Sequence, residues 1–403
     1  MSIEAALTRL GKGSLTEAGL REHVWPLFSR VLERSKREIY LSNHSLGRPL
    51  DRMAEDIRAA MDAWYRDMDG AWGPWLEARE QQRALTARLI GAPRSDAIIP
   101  KTSAGQGLRA VLNALEAPLR VVSTDGEFDS LDFILRAYRE RGRIALTLVA
   151  PGSDGRFRTE DLIAALRSGK GAQLLAVSTV MFRTAQVIEG LRELELAAHA
   201  AGAMVLLDLY HHAGVLPVDL SALEADFAVG GSYKYLRGGS GACWLYVRPD
   251  RLERLRTLDT GWFAKKDVFD YRRPDPPQYG RGGDAWLEST PPVLAPYQAL
   301  AGLEFTLAVG VERLRAYSLA QQAKLVGLLA AQGVHAEGAR ADHGAFVTVK
   351  HPRAGELAGV LAKRGVNSDA RGDMLRLCPD ILNTEDELAR AARALKDAAT
   401  ALG

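Results

Sequence analysis

Between residues 120 and 247 the chain alternates short apolar runs with longer amphipathic stretches. Six runs read as strands: Arg120–Ser123, Ile144–Ala150, Gln173–Ser178, Ala203–Leu207, Phe227–Gly230 and Ala242–Val247. They are apolar almost throughout instead of alternating, as strands covered on both faces must be. The stretches between them, Ser130–Glu140, Thr159–Ser168 and Gly190–Ala200, carry helical spacing. This succession predicts an α/β fold: a mostly parallel central sheet, helices on both faces and right-handed crossovers. The alternation ends at Val247. From Arg251 to Glu288, where RRPDPPQYGRGG occurs, proline and glycine predict a long loop of the kind that carries function. A helical pattern then runs from Pro292 to about Gln332, with a bend or break expected near Gly310. The end reads as a smaller α+β unit: apolar segments Ala345–Val349 and Met374–Leu377, a helix at Gly355–Arg364, and a closing helix at Glu385–Leu402.

Composition narrows the class. A chain of 403 residues is longer than one hydrophobic core supports, so two domains are expected. With 47% hydrophobic and 25% charged residues it is an ordinary globular composition. Basic and acidic residues number 52 and 50, leaving a formal charge of +2 and no basic tract, which argues against nucleic acid as a partner. The 2 cysteines, Cys243 and Cys378, lie far apart in apolar runs, which excludes a disulfide scaffold and suits a reducing compartment. No apolar stretch reaches the roughly 18–20 residues that span a bilayer. The opening, with Glu4 and no apolar signal core, gives no export signal. A cytoplasmic enzyme with a small-molecule substrate, no nucleic acid and no membrane is the expectation.

Candidate chemistry concentrates in Gly230–Val247, GGSYKYLRGGSGACWLYV, where a buried strand ends in glycines and then a lysine. A lysine held at such a turn is desolvated, and desolvation lowers its pKa toward the neutral amine that imine chemistry requires. A surface lysine beside a glycine turn would give the same local pattern. Upstream, VLLDLYHHAG places Asp208 at the end of a strand, where open α/β sheets bind ligands. Alone, that aspartate would also serve as a helix N-cap. One strand–loop–strand interval separates Asp208 from Lys234, so neighbouring strands would deliver both to one crevice. An aspartate for a pyridinium nitrogen and a lysine for an aldehyde are the minimum set for pyridoxal 5′-phosphate (PLP). His211 and His212 could also suggest a metal, but adjacent histidines rarely ligate one ion together and no third ligand is near, so no metal is expected.

The residues around this pair carry a family resemblance. Ser232-Tyr233-Lys234-Tyr235-Leu236-Arg237-Gly238-Gly239-Ser240-Gly241, the run from Asp208 to Gly214 with Pro217-Val218-Asp219-Leu220, the opening Tyr40-Leu41-Ser42-Asn43-His44-Ser45-Leu46-Gly47-Arg48, Gly261-Trp262-Phe263 and Thr290-Pro291-Pro292 occur in unbroken order. Together they make the chain resemble the class V aminotransferase superfamily of fold-type I PLP enzymes, over roughly residues 38–390. Within that superfamily it most resembles the kynureninase family.

The resemblance implies a large PLP-binding domain over residues 51–290 and a linking helix with a small C-terminal domain over 291–403. Residues 1–50 would form an N-terminal segment packing with the small domain. Lys234 would bond to the cofactor aldehyde and carry protons, and Asp208 would pair with the ring nitrogen. Phe128 would stack on the ring. Thr102 and Ser103 would hold the phosphate at a helix N-terminus. Tyr233 would reach the phosphate and donate protons, with His211 beside it as cofactor contact and proton carrier. Trp262 and Thr290 would contact phosphate from the neighbouring subunit of a homodimer. Arg376 would clamp the substrate α-carboxylate with its bidentate fork. His44 and Ser45 would line the substrate site, and Arg183 matches a basic family position.

The pattern departs from the family at Leu131, where an aspartate is usual and Asp129 or Asp132 would have to replace it. It departs again at Tyr210, which is bulky, and at Asn43-His44. Most of these changes fall where an aryl group would sit. The implied activity is hydrolytic β,γ-cleavage of L-kynurenine, in tryptophan catabolism, or of a related 2-amino-4-oxo acid, to anthranilate and L-alanine. The alternatives are epimerisation, β-lyase chemistry or transamination of another amino acid, and a non-catalytic binding protein. A cysteine desulfurase fits less well, because Cys243 lies in a predicted strand and Cys378 directly follows one.

Overall fold

The computed structural model describes residues 1–34 and 38–402. After a short strand β1 (Ile39–Tyr40), seven strands build the central sheet: β2 (Ile98–Lys101), β3 (Leu119–Thr124), β4 (Ile144–Val149), β5 (Leu174–Ser178), β6 (Met204–Asp208), β7 (Phe227–Gly231) and β8 (Cys243–Val247). Their spatial order is β2-β8-β7-β6-β5-β3-β4. The pairs from β4 through β7 are parallel, and β8 alone runs against its two neighbours. The sheet is therefore mixed but mostly parallel.

Burial explains the apolar runs. Every residue of β5, β7 and β8 is buried, which requires cover on both faces of the sheet. β4, at the edge, buries only Ile144. Five expected strands end within one residue of the observed bounds, as does the sixth, Ala242–Val247. The unforeseen strand of this sheet is β2; outside it, β1 (Ile39–Tyr40) and two short strands at Val366–Asn367 and Asp369–Arg371 were also unforeseen. β2 is four residues long and contains Pro100, a residue that sheets tolerate at an edge, where one side has no ladder to complete.

The C-terminal unit holds a three-stranded antiparallel sheet of β9 (Val347–Lys350), β11 (Asp369–Arg371) and β12 (Met374–Leu377), in the order β11-β12-β9. Helices Ala354–Lys363 and Glu385–Leu402 pack on it. The N-terminal segment reaches this unit: β1 pairs in parallel with β10 (Val366–Asn367). Leu20, Val24 and Phe28 share a second apolar cluster with Phe305, Val309, Ile381 and Leu382.

Helices Leu294–Val309 and Val311–Ala331 meet at 84°. The first packs on helices Arg52–Asp67 and Trp72–Leu89, and the second on Glu385–Leu402. The expected bend falls on Gly310, whose φ of 92° is a conformation that side chains with a Cβ resist. The expected irregular stretch from Arg251 starts later, because Pro249–Arg254 is a helix; from there to Leu294 only three short 3₁₀ turns form. No single helix among the described residues is long and apolar enough to cross a membrane.

Two glycines in this helix pair should respond oppositely to alanine. At Gly310 the new Cβ would make only an ordinary contact, 4.0 Å from Glu312 Oε2, so the cost is backbone strain of about 1–2 kcal/mol. At Gly327, inside the second helix and in open space, Gly327→Ala should stabilise by about 0.5–1 kcal/mol. Urea denaturation followed by circular dichroism would measure both, and equal shifts of the same sign would contradict the assignment.

Candidate active site

β6 and β7 run side by side, and their carboxyl ends carry the two residues on which the sequence reading turned. Asp208 is the last residue of β6, paired in register with Val229, and Lys234 lies three residues beyond the end of β7. Both are buried, at 5% and 7% exposure. They face one cavity of about 190 Å³, which Thr102, Ser103, Phe128, His211 and Tyr233 also line. Seven of the expected residues thus come together.

The lysine amine sits in an apolar cage. Its Nζ is 5.6 Å from the Phe128 ring centroid, 4.9 Å from Tyr210 and 6.0 Å from Tyr233. Burial pushes its pKa down from the ordinary lysine value, and the charge of Arg376 adds to that, while Asp208 opposes it. Burial raises the Asp208 carboxyl, against the Tyr210 N–H, which donates to Oδ1 at 2.7 Å, and the Lys234 charge. Lys234 Nζ lies 2.7 Å from His211 Nε2, whose other nitrogen, Nδ1, is 3.0 Å from the Tyr235 hydroxyl. Burial, with Lys234 and Arg376 nearby, holds His211 well below the usual imidazole pKa, so the ring is neutral. A proton on Nδ1 toward Tyr235 then leaves the Nε2 lone pair facing the amine. His212 is engaged elsewhere, with its nitrogens 3.0 Å from Thr179 Oγ1 and 3.2 Å from the Pro217 carbonyl.

At another wall, helix Ala104–Leu112 begins. Ser103 caps it, its Oγ accepting from the Gln106 N–H at 3.0 Å. Thr102 donates its hydroxyl to Gln106 Oε1 at 3.0 Å. The N–H groups at such a terminus suit a phosphate, which would take over the Thr102 donors that Gln106 now accepts from. A buried amine, a carboxylate at a strand end, an aromatic face and this terminus match the aldehyde, ring nitrogen, ring and phosphate of PLP.

The remaining expected residues lie elsewhere. Trp262 and Thr290 bond to each other, indole to hydroxyl, at 3.2 Å, and neither lines the cavity of Lys234. Arg376 is buried in β12, and His44 and Ser45 are beside it; all three bond to Asp369 instead of opening onto the cavity. Arg183 pairs with Asp373 at the surface. Leu131 is fully buried, Asp132 bonds to Arg136 one helical turn on, and neither Asp129 nor Asp132 lines the cavity; Ser130 does.

Several supporting residues gave no signal in the sequence. Glu127 accepts from Thr124 Oγ1 at 2.7 Å and from Ser178 Oγ at 2.5 Å, and burial pushes its carboxyl up to about 7. Ser178 lines the cavity and pairs in register with Asp208, so Glu127 braces the strand end beside it. Tyr235 and Asp369 complete the set. Each is an ordinary residue until the fold supplies its partner. Both cysteines are buried: Cys243 opens β8, with its sulfur 3.1 Å from the Tyr210 hydroxyl, and Cys378 follows β12.

The Aminotransferase class-V family model matches residues 55–382. The chain is 27% identical over 346 residues to the "Uncharacterized aminotransferase YcbU" of Bacillus subtilis, covering 84% of this chain and 90% of the relative. It is also 27% identical over 392 residues to a kynureninase of Bacillus cereus, covering 92% and 90%. A solved structure of C-DES with glycine covalently linked to its PLP cofactor superposes with a TM-score of 0.82 at 20% identity, over 93% of this chain and 99% of that one; it supports the fold. The chain belongs to the class-V aminotransferase family and is a PLP-dependent enzyme.

The lysine loop is pressed against Gly47, whose N–H donates to the Tyr233 carbonyl at 2.7 Å. A Cβ there would stand 1.8 Å from the Lys234 carbonyl oxygen. Gly47→Ala should therefore displace the loop at a cost of about 1–3 kcal/mol and weaken cofactor retention. Gly359→Ala, in open space on a distant helix, should leave it unchanged. Equilibrium dialysis against PLP would separate the two, and equal retention would refute the clasp.

Proposed function

We propose that this class-V family member is a hydrolase that cleaves the β,γ carbon–carbon bond of L-kynurenine or a related 2-amino-4-oxo acid, releasing anthranilate and L-alanine. The observation that carries the reading is the relay Lys234–His211–Tyr235, with separations of 2.7 and 3.0 Å inside a buried cavity. It puts a neutral imidazole beside the reacting amine, where an acyl cleavage needs a proton carrier. Similarity to a kynureninase along 92% of the chain supports it.

Bound PLP supplies an electron sink for the carbon that bears the amino group. The residues do the rest. Lys234, depressed by burial, presents a neutral amine to the aldehyde and afterwards ferries protons. Asp208 would keep the ring nitrogen protonated, Phe128 would cover the ring, and Thr102, Ser103 and Tyr233 would hold the phosphate. Cleavage consumes one water: the β–γ bond breaks, the γ-carbon leaves as the aryl carboxylate, and the β-carbon gains a proton. His211 and Tyr233 polarise the γ-ketone and move those protons, while Arg376 takes the α-carboxylate. In this reading the enzyme is a cytoplasmic homodimer acting in tryptophan breakdown, in which Trp262 and Thr290 would contact the phosphate bound by the neighbouring subunit. The division at residues 50/51 and 290/291 separates the cofactor domain from its flanks.

A second reading, an epimerase, β-lyase or aminotransferase acting on a different amino acid, is favoured by Tyr210. Its ring stands beside the lysine amine and takes space that an aryl ketone would use. Product analysis across a panel of amino acids distinguishes the two.

Incubation with L-kynurenine should yield anthranilate fluorescence, and none at millimolar substrate would reject the leading reading. Lys234→Ala should abolish turnover and the visible absorption of the bound cofactor. His211→Phe should keep that colour yet lower kcat by about 10²–10⁴-fold, the usual worth of a general acid–base group.

A further inference from the structure

The three side chains assigned to the substrate are all engaged by one residue of the chain itself. Arg376 Nε and Nη2 donate to Asp369 Oδ1 and Oδ2 at 2.8 and 2.5 Å. His44 Nε2 lies 2.6 Å from Oδ1, and Ser45 Oγ donates to Oδ2 at 2.5 Å. The last guanidinium nitrogen, Nη1, donates at 2.6 Å to the carbonyl of Phe182, a residue of the cavity wall. The fork that an arginine offers to a planar carboxylate is thus already filled. The pairing is built into the small sheet, because Asp369 and Arg376 face each other in register on β11 and β12. Next to them, Arg371 Nη1 stands 3.6 Å from Asp369 Oδ2, its side chain 44% exposed. Among the described residues Asp369 is the one carboxylate that Arg371 pairs with.

We propose that Asp369 is a resident stand-in for the substrate carboxylate: an incoming amino acid takes the fork of Arg376, and Asp369 is retained by His44, Ser45 and Arg371. The inference rests on the reading of Arg376 as the carboxylate anchor. The exchange conserves charge, since one anion leaves the fork as another enters. Arg376, 3% exposed, is therefore never left buried without a counter-charge, a state that would be strongly destabilising. The same device sets specificity. A ligand with a carboxylate can displace Asp369, whereas an amine without one leaves the internal pair closed. Asp369 and Arg371 are positioning residues that act through Arg376.

The test titrates the holoenzyme with L-alanine and with ethylamine, its counterpart without the carboxylate, by calorimetry. Removing the internal competitor in Asp369→Asn should tighten alanine binding about tenfold. Removing the cation that receives Asp369, in Arg371→Ala, should weaken alanine binding by about threefold or more. Ethylamine affinity should stay within about twofold in all three proteins. If Asp369 merely held Arg376 in place, Asp369→Asn would instead weaken alanine binding. That result would overturn the proposal, as would wild-type affinity in Arg371→Ala or no alanine binding by the wild type. Alanine, not kynurenine, is the probe. A protein that shows these shifts but leaves kynurenine intact therefore rejects only the proposed substrate.

Discussion

One primary amine, buried where a charge is costly, organises this protein. An ammonium group removed from water is strongly destabilised unless it is paired or gives up its proton. The fold answers in both ways at once. Asp208 arrives on the neighbouring strand and opposes the loss of charge, while burial and the charge of Arg376 favour it. The amine is therefore held near the point where it can be nucleophile or proton carrier, which is what chemistry on an aldehyde cofactor needs.

Keeping the amine there takes residues from all parts of the chain. The loop after β7 is fixed from the N-terminal side by the Gly47 N–H on the Tyr233 carbonyl. From the C-terminal side Asp380 takes the Arg237 guanidinium through both oxygens, at 2.5 and 2.8 Å, and pairs with Arg48 as well. Arg237 holds a positive φ of 58°, a conformation that a non-glycine residue keeps only where its surroundings enforce it. A buried arginine–aspartate–arginine cluster is costly to break, because removal of one member leaves an unpaired charge inside the protein. The same logic recurs at Asp369, where His44 and Ser45 of the N-terminal segment meet two arginines of the small sheet. N-terminal and C-terminal segments therefore do more than cover the large sheet. They set the electrostatics of its catalytic end.

How much of this was legible in the sequence depended on how local the cause was. Continuous apolar runs such as LLAVS and CWLYV announced strands because a doubly covered strand has no room for polar residues on either side. Gly310 announced a break between helices because a glycine there is a local solution to a sharp turn. Asp208 and Lys234 were placed together correctly because parallel neighbours with short connections end on the same side of a sheet. β2 went unread, since four residues around a proline carry little periodicity.

The amino-acid order by itself determined the class of fold, the family and the lysine–aspartate pair, since these follow from periodicity and from motifs within a few residues of one another. Only the tertiary structure decided what each charged side chain faces. Arg376 reads as an open carboxylate clamp until Asp369 is seen opposite it across the hairpin, and Glu127 gives no signal until Ser178 closes on it from another strand. The reason is physical. Hydrophobic burial repeats along the chain and leaves a periodic trace, whereas an ion pair is a single contact whose partner can lie anywhere in the sequence.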